Sequence, residues 1–143
     1  MPATTTLPPR LTAETLAELR RWIGPAQMAA MRDGLRGEEG AYFRERFAAV
    51  AATVAAMPVT YAQDGLGDQA VVHLHYFTSG ADWYLTERDV EPVQLQAFGL
   101  ADLGHGGELG YISIVELLQH GAELDLHFRP QTLAALAAAR RAR

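Results

Sequence analysis

The chain of 143 residues has no cysteine. Disulfides, thiolate zinc sites, iron–sulfur clusters and cysteine nucleophiles are therefore excluded, and a reducing, cytoplasmic setting is the expectation. It has no lysine either, so all twelve basic residues are arginine. No apolar run approaches the roughly 20 residues that cross a bilayer, and no membrane association is expected. The opening MPATTTLPPR lacks a positive start followed by an apolar core, so it does not read as a secretory signal. Its prolines and threonines predict a disordered tail over residues 1–10.

Positive charge is scarce where the chain is most acidic. Residues 1–69 carry 7 arginines against 8 acids, and residues 70–129 carry 2 against 9. The last fourteen residues carry 3 arginines and no acid. A middle segment with a net charge of −7 disfavours direct nucleic-acid binding, which needs basic groups to displace counterions from phosphates. It leaves open a cation or, as expected here, a protein partner with a basic surface.

Length and composition fit one domain over residues 11–143. Its helical part is 11–57 and its sheet part 58–143. Thr12 is placed to cap a first helix, and Pro25 suits the first position of a second. Phe43, Phe47, Val50, Val54 and Met57 are spaced 4, 3, 4 and 3, which predicts a third helix with one apolar stripe, ended by Pro58. QDGLGDQ (63–69) is a turn by composition.

Beyond that turn the period changes to two. VVHLHYF (71–77), DWYLTE (82–87), VQLQAFG (93–99), LGYISIV (109–115) and ELDLHF (123–128) are five expected strands. Residues 116–120 are expected to add a helical turn, and TLAALAAARRAR a closing helix. The fold class is thus α+β. N-terminal helices cover one face of a roughly five-stranded, mainly antiparallel sheet, and a helix ends the chain.

Alternation sorts the strand residues into two faces. Val72, Leu74, Tyr76, Trp83, Leu85, Leu95, Ala97, Ile112, Ile114, Leu124, Leu126 and Phe128 form the apolar one. His73, His75, Asp82, Tyr84, Thr86, Gln94, Gln96, Phe98, Tyr111, Ser113, Asp125 and His127 form the polar one. Solvation alone accounts for a polar face in an antiparallel sheet. The sharper reading is a binding surface made of His73, His75, Asp82, Tyr84, Gln96, Tyr111, Asp125 and His127. The loop and strand-end acids Glu87, Asp89, Asp102 and Glu108 flank it.

No catalytic constellation is legible and no cofactor is expected. His73-x-His75 sets two imidazoles about 7 Å apart on one face of a strand. His127 and Asp125 join them only if their strand lies beside the first, and imidazole with carboxylate suits zinc or another divalent metal; His73, His75 and His127 are the candidate ligands. The glycine-rich LGHGGELG (103–110) lacks the Gly-Lys-Ser/Thr ending of a phosphate loop and reads as a turn. Ser79 and Ser113 have no nucleophile-elbow context.

The ordered series LHYF (74–77), DWYLTE (82–87) with Asp89, QAFGLADLG (96–104), ELGYISI-x-EL (108–117) and ELDLHF (123–128) resembles an uncharacterised bacterial domain family carried on plasmids, phages and integrative elements. The resemblance spans about Pro58 to Leu133 and brings no catalytic residues. It implies a cytosolic accessory protein of a mobile element that acts by binding. One form is an acidic inhibitor or modulator of a host nucleic-acid-binding or defence enzyme. A metal-dependent enzyme using His73, His75 and His127 is the first alternative. A subunit of a larger plasmid or phage assembly, or a homo-oligomer, is the second.

Overall fold

The structure, a computed structural model, describes residues 11–91 and 96–141. The tail 1–10, and with it Gln94 and Leu95, lie outside the described residues. Helices α1 (Ala13–Leu19), α2 (Pro25–Gly34) and α3 (Gly40–Ala56) come first. As the sequence predicts, the Thr12 hydroxyl accepts the Thr15 N–H, and Pro25 opens α2.

Seven strands follow: β1 (Val71–Val72), β2 (Leu74–Phe77), β3 (Asp82–Glu87), β4 (Ala97–Asp102), β5 (Gly107–Ile112), β6 (Glu123–Leu124) and β7 (Gln131–Thr132). Helix α4 (Ile114–Gln119) lies between β5 and β6, and α5 (Leu133–Arg141) follows β7. Five strands make an antiparallel sheet in the order β5-β4-β3-β2-β6, and β1 and β7 pair separately. The fold is α+β.

The first face is sealed. Leu74, Tyr76, Leu85, Ala97, Ile112 and Leu124 from the sheet share one buried cluster with Leu19, Trp22, Ile23, Met28, Met31, Phe47, Val50, Val54 and Met57 from the helices. Each such side chain contributes roughly 1.5–3 kcal/mol when fully buried, which fixes the register on this side. Tyr76 spans the layers, its hydroxyl donating to the Trp22 carbonyl oxygen. Burial pushes that phenol's pKa above the ordinary tyrosine range.

The second face departs from simple alternation. It carries a smaller cluster of Val72, Tyr84 and Leu136, with Leu100, Phe128 and Leu133 against it. Helix α5 therefore covers part of the face expected to be wet. Val72 and Phe128, expected in the main core, pack here instead. The expected strand 71–77 breaks at His73, so Val72 leaves the sheet to pair with Gln131. ELDLHF keeps only two strand residues. The Asp125 carboxylate accepts the His127 N–H and its carbonyl accepts the Phe128 N–H, turning the chain. The strand expected at 109–115 ends at Ile112, because Ser113 caps α4 by accepting the Glu116 N–H. Ile114 still reaches the main core, from that helix. The strand placed at 93–99 runs over 97–102 in its described part.

Candidate functional site

One irregularity shapes the second face. Leu85 pairs with Gly99, but the next pair is Glu87 with Phe98, so Thr86 and Glu87 together oppose one residue. This is a β-bulge, which re-aims a side chain. Plain alternation sends Glu87 to the helix side; the bulge turns it to the side of Phe98. Gly99 permits the close approach, since a Cβ there would stand 2.1 Å from the Tyr84 carbonyl oxygen.

Glu87 thereby reaches a cleft of about 540 Å³. Its floor is sheet: Thr86, Glu87, Phe98 and Leu109. Its wall is the segment after α3, with Thr60, Tyr61, Gln63 and Asp64, and Leu133 of α5 closes one side. Gln63 fixes the wall to the floor. Its side-chain amide donates to the carbonyls of Val71 and Thr86, and its amide oxygen accepts the Val71 N–H. Its backbone N–H donates to Glu87 Oε1 at 3.2 Å. The Thr86 hydroxyl donates to Glu87 Oε2 at 2.8 Å.

Glu87 is only 4% exposed, against the expectation of a solvated strand-end acid. Among the described residues no basic side chain lines the cleft, and Asp64 adds a second carboxylate. Tyr61 and Tyr111 meet at the mouth, hydroxyl to hydroxyl at 2.5 Å. That bond, first of all, raises the Tyr111 pKa. Tyr61 has φ of +76°, an uncommon backbone state for a bulky residue. Tyr61, Leu109 and Tyr111 are 69%, 54% and 53% exposed, so the rim is apolar and aromatic.

A second constellation lies beside β2. His75 Nε2 is 2.7 Å from Asp82 Oδ1, and Nδ1 is 3.1 Å from Asp125 Oδ2. Only the doubly protonated ring donates to both. The ring stacks on Tyr84 with centroids 4.6 Å apart. Tyr84, expected on an open surface, is buried under α5, and Arg140 lies over its ring.

The other expected site residues scatter. His73 fills the strand break, its N–H donating to the Leu85 carbonyl, and burial lowers its pKa. His127 contacts the Tyr42 hydroxyl of α3. His73, His75 and His127 therefore do not converge, and no described group of three His, Asp or Glu is arranged to hold a metal. Asp102, expected at the surface, forms an ion pair with Arg140. Asp89 accepts the backbone N–H groups of Glu91 and Gln96. Glu108 lies on β5 across from Ala101. Of the expected site residues, Glu87 lines the cleft, and Tyr111 meets it through the hydroxyl of Tyr61. Sequence reasoning missed Tyr61, Gln63, Asp64 and Leu109 as its partners; the Gly65 and Gly67 signals marked only a turn.

A family model described as a protein of unknown function, DUF2958, matches residues 41–142. The chain belongs to this DUF2958 family. The match takes in all of α3 but its first residue, the whole sheet, the cleft and all of α5. Helices α1 and α2 precede it, although Leu19, Trp22, Met28 and Met31 are buried in the shared core. No curated protein and no solved structure matches the chain. Among the described residues, no helix is long and apolar enough to cross a membrane.

Proposed function

We propose that this DUF2958 protein is a non-enzymatic binding module whose sheet half engages a basic protein partner. The observation that carries this reading is the cleft. An aromatic rim leads down to a buried carboxylate, a second carboxylate stands in the wall, and no described arginine lines it. Pockets that combine apolar walls with a few fixed polar groups are the usual form of a recognition site. The net charge of −7 over residues 70–129 supplies a field that draws a basic partner in. The setting in which such a module works is an accessory role on a mobile element. There it inhibits or modulates a host enzyme that itself binds nucleic acid, in the cytoplasm.

The metal-enzyme alternative has less support, because its three histidines point to three different neighbourhoods. A subunit role through residues 11–57 has less as well, since the apolar faces of those helices are occupied by the protein's own core.

The test is affinity capture from a host lysate with the full chain as bait. The expected result is one dominant partner with a basic surface, released progressively as salt is raised through the range where the Debye length falls below about 8 Å. Capture indifferent to salt, or capture of nucleic acid alone, overturns the reading.

A further inference from the structure

The cleft poses a chemical question that its own residues leave open. A carboxylate excluded from water is ordinarily matched by a positive group. Glu87 has hydrogen-bond donors in Gln63 and Thr86, yet no described arginine lies within ion-pair distance of it. Two described arginines of the sheet half are engaged elsewhere. Arg140 pairs with Asp102, and Arg88 donates to the Met57 carbonyl.

We infer that the cleft receives one arginine side chain from an extended basic segment of the partner, with the guanidinium on the Glu87 carboxylate. This rests on the reading above that the partner is a basic protein. Each Glu87 oxygen accepts one hydrogen bond from the protein, so each keeps a further acceptor direction. Two free acceptors side by side match the two-pronged donor face of a guanidinium better than the single point of an ammonium. The walls fit the same group. Tyr61 and Phe98 line the cleft, and aromatic rings attract a planar cation. Asp64 adds attraction at the wall. The volume exceeds one side chain, and the remaining space, beside Leu109 and Leu133, is apolar. A leucine-like neighbour of the arginine suits it, which favours a peptide segment over a free diamine.

The experiment is a titration of the full-length, isotope-labelled protein with the capped peptide acetyl-Leu-Arg-Leu-amide, followed by amide NMR. The same peptide carrying citrulline or lysine, and free agmatine, complete the set. The expected result is saturable shifts at Gln63, Glu87, Phe98 and Leu109 with the arginine peptide. Lysine should bind at least several-fold more weakly, and citrulline should give no saturable shift. Glu87→Gln should abolish the response, while Glu14→Gln on α1 retains it; the spectrum itself reports whether each variant is folded. Equal shifts with citrulline, shifts confined to other residues, or unchanged binding by folded Glu87→Gln overturn the arginine pocket. Because citrulline is compared on the wild-type chain, that result stands even if Glu87→Gln does not fold. Agmatine saturating the cleft below the peptide's concentration overturns the segment and assigns the site to a free guanidino compound. Salt-sensitive capture of a basic partner that survives Glu87→Gln overturns this pocket and leaves the broader binding function standing.

Discussion

The two faces of the sheet obey different rules. On the face under α1, α2 and α3, every buried strand residue fits a strict alternation and packs into one dry cluster. On the face under α5, alternation is interrupted twice, at His73 and at Thr86–Glu87. The covering helix packs on Val72, Tyr84 and Leu100. What it leaves open is a cleft on one side and the His75 cluster on the other. The lesson is one of division. A regular face holds the fold, and the irregular face spends regularity to expose polar groups in fixed positions.

The regular face should give the largest effects on mutation. Trp22 is fully buried and touches the sheet through Tyr76. Trp22→Ala should cost about 3–5 kcal/mol, read as a lower urea midpoint. A smaller loss, comparable to that for a half-exposed residue, would break the contrast between the faces.

Gly99→Ala comes next and acts on the irregular face through the backbone. The added methyl would meet the Tyr84 carbonyl oxygen and stand 2.9 Å from the Leu85 Cα. Neither is the free end of a flexible side chain, so β3 and β4 must separate. The expected cost is near the upper end of the roughly 1–3 kcal/mol typical of overpacking. The Thr86 and Glu87 amides should lose protection from hydrogen exchange before those of β2. A normal exchange pattern in a folded variant would show that the bulge does not depend on Gly99.

The regular face was legible in the sequence because burial enforces the period. Leu74, Tyr76, Leu85, Ala97 and Ile112 could be placed by counting alone. The same counting put Val72 and Phe128 on the wrong side and left Glu87 in solvent. A bulge shifts the count by one without any residue type that announces it. Gly99 was visible, but a glycine in a strand reads equally as a turn. The cleft wall was hidden for another reason. Gln63 bonds to Val71 and Thr86 across gaps of 8 and 23 residues, and polar residues in a loop carry no period from which such contacts can be read. Asp82 and Asp125 were both placed beside His75's face, yet the turn that brings Asp125 to the ring lay inside a segment that looked like strand.

Leu136→Ala sharpens the comparison at a lower level. Leu136 is the buried anchor of α5 on Val72 and Tyr84, in a cluster far smaller than the main one. The loss should be about 2 kcal/mol, the low end for such truncations. It should appear as faster exchange along α5 while the helix-side core stays protected. A loss that reaches both faces equally would mean that α5 is as integral to the fold as α3.

Glu87→Gln should have the smallest effect on stability, and that smallness is informative. If Glu87 were there to hold the fold, its neutralisation would strand donors and cost about 1–3 kcal/mol. The local geometry offers a way to avoid this. The Thr86 hydroxyl lies 3.2 Å from the Phe98 carbonyl oxygen as well as 2.8 Å from Glu87. With glutamine in place, that hydroxyl can turn to Phe98 and accept from the new amide, while the amide oxygen keeps the Gln63 N–H. The Thr86 hydroxyl, the Gln63 N–H and one amide hydrogen then keep partners, and a buried charge with no described arginine in ion-pair reach has been removed. The expected change in the urea midpoint corresponds to less than about 1 kcal/mol in either direction. A carboxylate at the floor of a cleft that the fold can do without is what the proposed binding role requires. A loss as large as that of Leu136→Ala would instead make Glu87 a structural acid and remove the strongest argument for the site.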